Sequence, residues 1–117
     1  MNFGIDVDRR ADAVVLTPLG DLDLAATPAF RQTIIKVLAD GDDRIVVRLS
    51  SVDFCDSTGL GALIGALKRV RAHGGELVVC SLSQPLIDLF VLCSLDRVFT
   101  LHDSPEAAIA AVGVAAA

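Results

Sequence analysis

Residues 54–69 read FCDSTGLGALIGALKR, from Phe54 to Arg69, and the fold turns on how this stretch is read. It follows an apolar run at 44–52, RIVVRLSSV, whose β-branched content suits a buried strand. Asp56, Ser57 and Thr58 then bring the side chains that cap free backbone N–H groups where a helix begins. Leu60, Leu63, Ile64, Leu67 and Val70 recur at helical spacing, and His73-Gly74-Gly75 supplies the stop. The pattern predicts a helix over 57–72, with Gly61, Gly65 and Lys68 on a face away from the apolar stripe. Each internal glycine costs about 1 kcal/mol relative to alanine. Small residues at i and i+4 let another backbone approach. That backbone is either a neighbouring segment of this chain or a docked partner helix.

Outward from this stretch the pattern alternates. Phe3, Ile5 and Val7 form a half-exposed strand, and 13–19 a second one paired to it antiparallel across a turn too short for a crossover. The loop GDLDLAATP leads into a helix with Thr27 as N-cap, Pro28 in its first turn, and Phe30, Ile34, Val37 and Leu38 as its buried stripe. After the helix over 57–72 come a strand at 76–80, a short helix at 84–92, a strand at 98–101 and a terminal helix capped by Ser104-Pro105-Glu106. The order β-β-α-β-α-β-α-β-α implies one α/β domain: a mixed, mostly parallel sheet of about five strands, its first strand antiparallel, flanked by about four helices. The domain is expected to span 1–112, with 113–117 as an alanine-rich tail.

Composition narrows the function. A chain of 117 residues suits one domain, and 53% hydrophobic residues cannot stay disordered. Net charge is −5 and there is neither Trp nor Tyr, so nucleic-acid binding is not expected. No apolar run approaches the roughly 20 residues that span a bilayer, and Met1 is not followed by a leader, so a soluble cytoplasmic protein is expected. Cys55, Cys80 and Cys93 show no metal spacing and imply a reducing compartment and buried thiols, a Cys55–Cys80 redox pair being the alternative.

Enzymatic chemistries fail on detail. Gly59, Gly61 and Gly65 miss the G-x-G-x-x-G spacing by one residue, and Cys80-Ser81 stands where a ribose-binding acid is needed. No G-x-x-x-x-G-K-[ST] string exists, and Ser57 is not in G-x-S-x-G. His73 reads as a helix C-cap, and with His102 it makes neither a metal site nor a base for Ser57. No cofactor is implied. The two hydroxyls remain. Ser57 or Thr58 can serve as the N-cap, but so can Asp56, which leaves Ser57 exposed at the carboxyl end of the sheet. A phosphate there adds roughly −1.5 to −2 charges beside Asp56 and Asp21 or Asp23, at an edge where a docked partner would feel it.

Asp56-Ser57-Thr58-Gly59-Leu60-Gly61, between a buried strand and an aliphatic helix, resembles the signature of bacterial anti-sigma factor antagonists of the STAS domain family. Gly20-Asp21-Leu22-Asp23 resembles the family's second marker, G-[ED]-[LI]-D, and the likeness runs from Phe3 to about Val112. The resemblance implies a non-enzymatic regulator that binds an anti-sigma factor serine kinase and so releases a sigma factor. It makes Ser57 the phospho-acceptor, with Thr58 as the alternative, and a serine phosphatase the restoring partner. Asp21, Asp23, Asp56, Thr58, Gly59, Gly61, Gly65 and Lys68 form the expected partner-binding set. Size and resemblance together imply a monomer or weak dimer. A STAS subunit of a lipid-transport ABC complex and a stress-signalling scaffold are the competing readings.

Overall fold

A computed structural model describes residues 3–116, with side chains described through Val112. Strands β1 (Ile5–Arg9) and β2 (Val14–Pro18) pair antiparallel, Ile5 opposite Pro18 and Arg9 opposite Val14. Helix α1 (Thr27–Ala39) leads to β3 (Arg44–Arg48), α2 (Ser57–Ala72) to β4 (Glu76–Cys80), and α3 (Gln84–Leu92) to β5 (Leu101–His102). Helix α4 (Pro105–Ala116) ends the described chain, so the expected division between 112 and 113 falls inside it. The sheet order is β1-β2-β3-β4-β5, and every pair after the first is parallel.

The period of two along a strand sorts the core into two layers. Ile45 and Val47 of β3 and Leu77 and Val79 of β4 face Phe30, Ile34, Leu63, Leu67 and Phe90, from α1, α2 and α3. Val46, Val78 and Cys80 face the other way, onto Ala108 and Val112 of α4. Strands covered on both sides read as unbroken apolar runs, as at 45–47 and 77–80.

Three expectations need correction. β1 is mostly exposed rather than alternately buried, because it is an edge strand carrying Asp6, Asp8 and Arg9. Thr27 is not the N-cap of α1: Ala26 holds that position, and the buried Thr27 donates its hydroxyl to the Asp23 carbonyl. The strand expected at 98–101 is reduced to Leu101–His102, because Leu95–Arg97 forms a 3₁₀ turn and the Val98 and Phe99 amides bond back to Leu95.

Candidate functional site

The carboxyl ends of neighbouring parallel strands β2 and β3 feed two loops, 19–26 and 49–56, that lie side by side. Backbone bonds join them: Leu22 N–H donates to the Phe54 carbonyl (3.1 Å), and Asp56 N–H to the Leu22 carbonyl (3.2 Å). Leu22 and Cys55 form an isolated parallel bridge, and both side chains are buried. Carboxylates complete the seam. Asp21 Oδ1 accepts from the amides of Asp53 (3.2 Å) and Phe54 (3.0 Å). Asp56 Oδ2 accepts from Leu24 N–H (3.1 Å), while its Oδ1 takes Gly59 N–H (2.8 Å) and caps α2. Asp23 turns inward to its own loop, its Oδ1 accepting from Ala26 N–H at 3.0 Å.

The N-cap duty therefore falls to Asp56, and neither hydroxyl is needed for it. Ser57 is exposed, and no hydrogen bond within the described residues engages its Oγ. Thr58 is half-buried. The Ser57 and Thr58 N–H groups stand in the first turn, where a helix has no internal acceptors and its dipole favours an anion. This end of α2 thus presents a reachable hydroxyl on a backbone fixed by three carboxylates.

Of the expected partner-binding residues, the fold gathers Asp21, Asp23, Asp56, Thr58 and Gly59 around Ser57. Gly59 is corrected to a packing position. It is buried, and a Cβ there would run into the Leu22 carbonyl, so it offers a partner no surface. Gly61 and Gly65 are the reverse, exposed and with no atom within 4 Å of an added Cβ, which removes the reading that they pack against this chain's own segment. Lys68 lies eleven positions beyond Ser57, about 16 Å along the helix, and does not belong to the rim. His73 caps as expected, with Nδ1 at 3.0 Å from the Arg69 carbonyl.

Sequence reasoning missed the apolar collar. Leu24 is 69% exposed and Phe54 56%, one on each loop, and Leu19 stands open beside them. A shallow cleft of about 260 Å³ lies alongside, lined by Phe3, Leu19, Asp21, Asp23 and Ala26 among others. The signal was present in the sequence: Leu24 and Phe54 each follow an aspartate in a loop, outside any strand or helix stripe.

The thiols divide. Cys55 and Cys80 are buried as expected, but Cys93 is exposed at the end of α3. Burial pushes the Cys55 thiol up to about 12, reinforced by the charges of Asp56 and Asp21. Burial also raises Cys80. Cys55 belongs to the α1–α2 layer and Cys80 to the α4 layer, so they do not pair.

The fold and the seam define a small α/β domain that displays one hydroxyl at a helix start. Residues 4–108 match the family model described as the STAS domain, and the chain belongs to that family. It is 29% identical over 109 residues to the anti-sigma-B factor antagonist of Bacillus subtilis (strain 168), covering 93% of this chain and 99% of that protein. The anti-sigma F factor antagonist of Paenibacillus polymyxa is 26% identical, over 89% of this chain and 90% of that one. The crystal structure of an anti-sigma factor antagonist from Mycobacterium paratuberculosis superposes with a TM-score of 0.84 at 26% identity, over 95% of this chain and 94% of that one. No helix among the described residues is long and apolar enough to cross a membrane.

Proposed function

We propose that this chain is an anti-sigma factor antagonist whose attachment to a serine-kinase anti-sigma factor is switched off by phosphorylation of Ser57. The observation that carries the reading is the division of labour at the start of α2. Asp56 makes the capping bond to Gly59, so the exposed Ser57 hydroxyl has no structural duty. The relatives named antagonists match it over nearly their whole length, which supports the same role here.

In the transfer, the γ-phosphoryl group of ATP passes to Ser57 Oγ. The new O–P bond forms as the bond to ADP breaks, and the hydroxyl proton goes to a base on the kinase. The product carries roughly −1.5 to −2 charges. The dipole of α2 favours it by about 0.3–1 kcal/mol, so the fold itself tolerates the group. A partner resting on Leu24 and Phe54 does not, because it would have to desolvate the new charge beside Asp21 and Asp56. A ~100-fold loss of affinity needs only about 2.7 kcal/mol. Gly61, one turn beyond Ser57, extends the docking face along α2, and a serine phosphatase reverses the state.

The test is to incubate wild type, Ser57→Ala and Thr58→Ala with the cognate kinase and ATP and weigh the products. Wild type and Thr58→Ala gain one phosphoryl group while Ser57→Ala gains none. Full phosphorylation of Ser57→Ala would overturn the assignment.

A further inference from the structure

Helices α1 and α2 contain five of the chain's ten Lys and Arg residues and no Asp or Glu, in a protein of net charge −5. Part of this has a local cause. Lys36, Arg69 and Arg71 occupy last turns, where the helix dipole favours cations. Arg71 is engaged by Glu76 (3.2 Å) and Lys36 by Asp40 (3.5 Å). Arg31, Lys68 and Arg69 have no ion-pair partner among the described residues. Arg31 stands one turn into α1, where the dipole gives a cation no advantage.

Between the C-terminal halves of the two helices runs a groove of about 180 Å³, lined by Ile35, Leu38, Ala39, Arg69 and His73. The α1 wall is apolar, and Ile35 is 36% exposed although it lies one turn from Arg31. Gly65, one turn before Arg69, leaves open space in which a second backbone can approach. An apolar wall flanked by unanswered cations matches one kind of occupant, a segment with apolar side chains on one face and carboxylates beside them. Nucleic acid fits less well. Its phosphates find nothing on the apolar wall, and the remaining residues carry all fifteen carboxylates against five cations.

We propose that this groove docks an acidic amphipathic segment of a partner protein, its apolar side chains against Ile35 and its carboxylates paired with Arg31 and Arg69. Arg69 lies twelve positions beyond Ser57, about 18 Å along α2, so the surface is separate from the serine rim and does not depend on its phosphorylation.

The test uses the full chain and a fluorescent helical peptide of about 14 residues, roughly 20 Å long, with Leu at i and i+4 and Glu on both flanks. A twin peptide replaces every Glu by Gln, and a short DNA duplex is the third probe. The Glu peptide is expected to bind saturably and more weakly as salt rises, and the Gln twin to bind about tenfold less tightly. Arg31→Glu with Arg69→Glu is expected to lower the Glu peptide's affinity about tenfold, and Ile35→Ala by a smaller factor, with unfolding midpoints showing that both variants fold. Absent saturation, equal binding of the Gln twin, indifference to the charge reversal, or tighter binding of the duplex would each overturn the proposal.

Discussion

At its N-terminus, α2 is sewn to the neighbouring loop by the Leu22 backbone and by Asp21 and Asp56, whereas its C-terminus closes on itself. There the amides of His73 and Gly75 return to the carbonyls of Arg69 and Val70, and a groove stays open beside α1. The first end is acidic and held from outside; the second is basic and holds itself. On the proposed function, a charge added to the sewn end meets a backbone held by these bonds, and its effect is expected to fall on whatever is docked there.

Gly59 and Gly61 stand two residues apart and offer the sharpest way to break this contrast. Gly59→Ala forces a Cβ into the Leu22 carbonyl, a rigid backbone atom, and is expected to destabilise by about 3 kcal/mol in urea unfolding. A loss below about 1 kcal/mol would mean the seam yields. Asp56→Ala removes both the cap and the Leu24 tether and is expected to cost about 1–2 kcal/mol. Gly61→Ala and Gly65→Ala meet open space and are expected to stabilise by about 0.5–1 kcal/mol each, the opposite sign from Gly59→Ala.

The smallest effect concerns the thiols. Native protein treated with a maleimide is expected to label at Cys93 first, Cys55 and Cys80 reacting only on unfolding. Folding favours the neutral Cys55 thiol. Its contribution to stability is therefore intact below the ordinary value of 9.0 and is lost as pH rises from there toward about 12. Early labelling of Cys55 would show that the seam opens.

Much of this was legible in the residues. The bounds of α2 followed from the stripe through Leu63, Leu67 and Val70 and from the stop at Gly74, whose φ of 78° suits glycine. Asp56 was a visible cap candidate, but so were Ser57 and Thr58, and only the position of Gly59 N–H decides among them. Thr27 misled because an N-cap is chosen by geometry. Asp23 forms a turn with both its side chain and its carbonyl, which moves Thr27 one position into the helix. Val98 and Phe99 misled because a short apolar run has no period of its own, and a 3₁₀ turn buries Phe99 against Phe90 as well as a strand would. The collar of Leu24 and Phe54 was marked only by loop placement beside an aspartate, and its exposure depends on where the neighbouring loop lies.

The direct measurement compares the affinity of the cognate anti-sigma factor for the unmodified chain and for the same chain carrying one phosphoryl group on Ser57, with circular dichroism reporting that the two folds agree. A loss of ~100-fold or more with the fold unchanged is expected. Equal affinities would contradict it.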